Sequence, residues 1–253
     1  MSQHRPRRID REAVRERLDR VTDPELDRSI VDLDYVEEIE IDGERVEVSL
    51  TLPTAWCSPA FAWMMVADAR DALFAHPAIA EATVRLRDHM HADEINEGVN
   101  SDEPFESAFG DADGDIEEVR RTLDGKARLA RQYRAVSTLL DGGLTSEQIV
   151  GLTRGDVAIG GDLATVRIDD TLSVCVEADP IRRYLEKATE TGVVDAPDDG
   201  LFRTPEGGAI PLAEFETVHR RGRLARTNMS SQGHVCERLG DARIGGPTRV
   251  TTD

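Results

Sequence analysis

The sequence predicts an α/β protein of the α+β kind. A small helix–strand–strand–helix–strand (αββαβ) domain comes first, and a mixed, mainly helical second domain follows. Three observations predict this. Apolar residues recur at helical spacing in "AVRERLDRV" and alternate one-in-two in "RVEVSLTL". The pair Asp42-Gly43 joins two alternating runs, as in a hairpin. "NSDEPFESAFGDADGD" is acidic and rich in small residues, which marks a linker. The expected boundaries are 1–99 for the first domain, 100–115 for the linker and 116–253 for the second domain.

In the first domain, Asp10 is placed to cap a helix, and Ile9 to staple against Val14. Val14, Leu18 and Val21 form its apolar stripe. Pro24 ends helical geometry, because its ring restricts Asp23. Val46, Val48, Leu50 and Leu52 share one face of the second hairpin strand. Ser58 and Pro59 read as cap and first residue of the next helix, which ends before Pro77. "IAEATVRLR" is the third strand, with Val84 and Leu86 inward.

The second domain opens on a long helix from Ile116 to about Leu140, then a short one in "TSEQIVGL". "ATVRIDD" and "LSVCVEA" read as paired strands, with Cys175 in the core. Asp179 and Pro180 start a further helix and Gly192 stops it. "HRRGRLAR" leads a last helix toward "GHVCERLGDARIGG".

Composition narrows the function. The 253 residues carry a net charge of −19, and all but two of the basic residues are Arg, the exceptions being Lys126 and Lys187. Such a surface suits high salt, where self-repulsion is screened within a few ångströms. The reading is a halophilic, acidic protein. It opposes a nucleic-acid partner, since phosphate contacts need a clustered positive field. No run of about 18 apolar residues predicts a membrane span. "MSQHRPRRID" lacks the apolar stretch of a secretory signal. Cys57, Cys175 and Cys236 are too few for a disulfide scaffold, so the expected compartment is the cytoplasm.

Cys57 stands directly before a helix cap. Amide groups and the helix dipole there favour thiolate, the form that binds metals and attacks electrophiles. A small buried apolar residue fits the same place.

The flanking residues add a resemblance. "VTDPELDRSIVDLDYVEEIEIDGERVEVSLTLPTAWCSP" resembles the metal–sulfur (iron–sulfur) cluster assembly family that includes PaaD and SufT. That family has an Asp-Pro-Glu motif after its first helix and one Cys in a Thr-rich loop before its second. Asp23, Pro24 and Glu25 match the first motif and Cys57 the second, over residues 9 to 99. Where the family has a small residue and Gly before its Cys, this chain has Ala55 and Trp56, and Ser58 intervenes before Pro59. The resemblance implies an assembly or maturation factor rather than an enzyme. Its cargo would be an iron–sulfur cluster or iron, held transiently and delivered to a client metalloprotein. Cys57 would be the metal or sulfur-transfer residue, in a loop shaped by Asp23, Pro24 and Glu25. One Cys cannot hold a cluster alone. A homodimer, a client or a small thiol would complete the ligand set.

Further candidate metal ligands are His89 and His91, two apart on a segment expected to be extended, with Asp93 and Glu94 beyond. This stretch resembles a tail of family members found beside multicomponent monooxygenases, which implies an oxygenase subunit as client. His234 and Cys236 are two apart as well, and with Cys57 would make three ligands. A rival reading is a DNA-associated regulator. "GGLTSEQIVGLTRGDVAIGGDLATVRI" and "LFRTPEGGAIP" loosely resemble tyrosine recombinase catalytic domains, but Thr145 stands at the catalytic Arg position and no Tyr follows Tyr184.

Overall fold

A computed structural model describes residues 9–110 and 115–244. Most of the basic N-terminal stretch and residues 111–114 of the acidic stretch lie outside them. The described residues fall into two compact units. One comprises those up to Ile116 together with those from Ser231 onward; the other is Glu117–Ser230.

The first unit begins with α1, Arg11–Leu18, capped by the Asp10 carboxylate, which accepts from the Ala13 N–H at 2.9 Å. Val14 and Leu18 are buried on its inner face. A tight loop follows. Its two short strands, β1 (Thr22–Asp23) and β2 (Arg28–Ser29), pair antiparallel. Strands β3 (Val36–Asp42) and β4 (Arg45–Thr51) form the expected hairpin. Gly43 turns it with φ +64°, a left-handed value that a residue with a Cβ rarely adopts. Val46, Val48, Leu50 and Leu52 are all buried.

Helix α2, Pro59–Phe74, starts on Pro59, whose missing N–H costs nothing at that position. Ser58 precedes it but its side chain makes no capping bond. Strand β5, Glu81–Arg87, returns parallel to β4, giving the sheet order β3-β4-β5. Val84 and Leu86 point into the core.

Besides the short β1–β2 pair, two helices lie beyond the expected order. Helix α3, Ala92–Asn100, occupies the stretch expected to be extended after β5. Its Asn96 and Asn100 side chains complete the free edge of β5. Asn96 accepts from Leu86 N–H (2.7 Å) and donates to Leu86 C=O (3.0 Å); Asn100 does the same with Val84 (3.1 and 2.9 Å). The amides thus supply the pairing that a further strand would give, which protects an edge. Helix α4, Phe105–Ala108, lies in the acidic stretch read as a linker. Phe105 is buried, and Phe105 and Phe109 meet the Trp63 ring edge-on.

The second unit holds most of α5, Ile116–Asp141, then α6, Ser146–Gly151, started by a capping box between Thr145 and Gln148. Its sheet has three strands, β6 (Val157–Gly160), β7 (Leu163–Arg167) and β8 (Ser173–Glu177), all antiparallel. Strand β6 was not expected. Cys175 is exposed rather than in the core. Strand alternation turns Val174 and Val176 inward and therefore Cys175 outward. Helix α7, Ala178–Glu190, begins two residues early: Glu177 is its cap, and Asp179 and Pro180 lie inside its first turn. Gly192, φ +65°, follows its end. Tyr184 is fully buried and donates to Leu201 C=O at 2.7 Å, and Gln132 exchanges two bonds with the Arg203 backbone. The long loop is thereby held to its helices. Helix α8, Phe215–Ile244, ends the described chain; its residues from Ser231 group with the first unit.

Candidate functional site

The site is built on the β1–β2 loop. Pro24 keeps Asp23 out of helical geometry, and the Asp23 carboxylate folds back on its own loop. Its Oδ1 accepts from the Glu25 N–H (2.9 Å) and the Leu26 N–H (3.1 Å), and its Oδ2 from the Tyr35 hydroxyl (3.3 Å). Burial lifts Asp23 above the usual carboxylate range, and these three donors only partly offset it. Burial, then the Asp23 charge, pushes the Tyr35 phenol up as well. Asp23 therefore organises the loop and leaves Glu25, half-buried, at its turn. The Glu25 Oε1 accepts from Gln232 Nε2 of α8 at 2.8 Å.

Cys57 sits half-buried at the start of α2, against the core of the same unit. The helix start does not make it a thiolate. Burial pushes its thiol up to about 12; the charges of Asp23, Cys236 and Glu25 add to this, and the Ser58 amide opposes it without prevailing. Desolvation and neighbouring negative charge outweigh a helix terminus. The resting residue is a protonated thiol, and a bound metal would have to displace that proton.

Behind Cys57 stands His89, which is buried. Its Nδ1 accepts from the His91 N–H at 3.2 Å, so Nε2 is the donor to the Cys57 carbonyl at 3.0 Å. Burial lowers its pKa, which keeps the ring neutral, as this bonding requires. With both nitrogens engaged, His89 braces the Cys57 backbone. His91 caps α3 instead of lying on an extended segment; its ring meets Phe109 edge-on, and its Nδ1 lies 3.8 Å from Glu94.

His234 and Cys236 lie within α8, where residues two apart point to different sides. His234 is exposed and Cys236 half-buried. His89, His91, His234 and Cys236 are thus not brought to one point. Among the described residues no group of three or more His, Cys, Asp or Glu is arranged to hold a metal ion. Asp23, Glu25 and Cys236 are instead the groups whose charges act on Cys57, without forming such a set. Tyr35 and Gln232 bond Asp23 and Glu25 respectively. No local pattern in the sequence marks either, because each meets the loop through a long-range contact.

The rim of the site is apolar and open. Trp56 is 75% exposed and Met90 52% exposed, and the Met90 N–H bonds the Ala55 carbonyl beside Trp56. Large apolar side chains at such exposure are available to another surface.

Residues 11–86, from α1 through β5, match the family model described as an iron-sulfur cluster assembly protein. The N-terminal part of the chain is similar to that family over these residues, and the match supports a general role in iron–sulfur cluster assembly. No curated protein and no solved structure matches the chain. Among the described residues no helix is long and apolar enough to cross a membrane.

Proposed function

We propose that this protein is a cytoplasmic carrier in iron–sulfur or metal-centre maturation, with Cys57 as the residue that takes up the cargo and gives it to a client metalloprotein. The observation that supports it most is the place of Cys57: in the family-matched domain, beside the Asp23–Glu25 loop and under an exposed apolar rim. Its raised thiol pKa suits a carrier, since a protonated thiol resists alkylation and oxidation until a metal replaces the proton. One thiolate binds a cluster weakly, which favours release. The remaining ligands come from the client, a second copy of the chain or a small thiol. Trp56 and Met90 are the contacts offered to the client, and the stretch after β5 favours an oxygenase subunit in that role.

The test is transfer. The protein, loaded anaerobically at high salt, is mixed with an acceptor apoprotein bearing a four-cysteine site, and cluster arrival is followed by absorption. The proposal expects transfer faster than from free iron and sulfide, lost in Cys57→Ala and slowed in Trp56→Ala. Transfer by Cys57→Ala at the parent rate would contradict it.

A further inference from the structure

We propose that α8 supplies a second thiol to the Cys57 site, so that Cys57 and Cys236 together form a half-open dithiol site for a thiophilic metal ion or one edge of a cluster. This rests on the reading of Cys57 as the cargo residue. Four observations carry it. The residues of α8 from Ser231 belong to the same compact unit as Cys57. Gln232 bonds Glu25 at 2.8 Å, which ties the helix to the Asp23 loop. Gly233 is buried, and a Cβ there would stand 3.9 Å from the Leu26 side chain, so the helix passes close along that loop. Cys236 is four residues beyond Gln232, about 6 Å further along the helix on the same face. It is half-buried, and it is near enough to Cys57 and Tyr35 to be among the groups that act on both.

The chemistry follows from the donor set. Two thiolates select soft or borderline metals such as zinc and iron over magnesium or calcium. Two protein ligands leave a tetrahedral centre half empty. Among the described residues no group of three or more His, Cys, Asp or Glu is arranged to hold a metal ion, so the open positions are left to the cargo's own sulfide or a ligand of the receiving protein. Gln232 and Glu25 act as positioning residues: their bond holds the last described turns of α8 over the loop.

The experiment is an anaerobic cobalt(II) titration of the full chain at high salt, in the parent, Cys57→Ser, Cys236→Ser and the double variant. The readout is the near-ultraviolet thiolate-to-cobalt band. The proposal expects the band per cobalt to fall by about half in each single variant and to vanish in the double. Affinity in each single variant should drop at least as far as the roughly 10–100-fold that loss of an outer-shell partner costs. A band in Cys236→Ser equal to the parent's, with Cys57→Ser lacking it, overturns the second thiol and leaves Cys57 as sole protein ligand. A parent with no band overturns both readings. As a check that needs no metal, a short bifunctional thiol reagent should bridge Cys57 and Cys236 in a single chain, read by peptide mass. Failure to bridge them while both are singly modified counts against the dithiol.

Discussion

Cys57 and Asp23 interact through charge, and each predicts a measurable response. With its thiol pushed up to about 12, Cys57 holds only about one thiolate in ten thousand at pH 8. Its alkylation by iodoacetamide should therefore be slow and rise about tenfold per pH unit well above pH 8. Asp23→Asn removes the largest charge contribution and should speed that alkylation at fixed pH. The substitution has a stability signature as well. Because Asp23 is raised in the folded state, folding binds its proton more tightly than the unfolded chain does. Its contribution is fully present below the ordinary value of 3.8 and is lost as pH rises through the raised value. Asp23→Asn should remove that loss. Asp23→Ala should instead destabilise by about 2–4 kcal/mol, since it leaves the buried Leu26 N–H, the Glu25 N–H and the Tyr35 hydroxyl without their acceptor. Denaturant melts of the two variants separate these effects.

At the scale of elements, α3 is the part most open to test. Gly98 lies against Trp63, and a Cβ there would stand 2.6 Å from the ring. Gly98→Ala should therefore cost about 1–3 kcal/mol despite the better helix propensity of Ala. Asn100→Ala should cost about 1–2 kcal/mol by exposing the Val84 edge. These contacts explain what the sequence shows and what it hides. The elements α1, β3, β4, α2 and β5 are legible because strong periodicity meets clear punctuation: Asp10, Gly43 and Pro59. Helix α3 is not, because its buried apolar side chains reduce to Ile95 and Val99 amid charged residues, and its anchoring asparagines look like surface polarity. Strand β6 is four residues long and ends beside a glycine pair, so it reads as part of a turn. Cys175 shows the limit of alternation: the period is visible, but not which phase faces inward.

For the whole molecule, the decisive information is long-range. Cys57 is legible as a site from its neighbours in sequence. The approach of Gln232 and Cys236 is not, since 207 residues separate Gln232 from Glu25. No motif links them, and the spacing of His234 and Cys236 suggests a chelate that helical geometry prevents. Net charge acts at this scale too. At −19, self-repulsion should lower the melting temperature in dilute buffer and ease in molar salt, so a thermal melt series should rise steeply with salt and then level. A flat series would contradict adaptation to high salt.

The most direct measurement is anaerobic reconstitution of the full chain with iron and sulfide at high salt, beside Cys57→Ala, with visible absorption and counts of bound iron and sulfide. Sulfur-to-iron absorption with bound iron and sulfide is expected in the parent, and neither in Cys57→Ala. Equal iron and sulfide on both proteins, or none on either, would contradict Cys57 as the cargo residue.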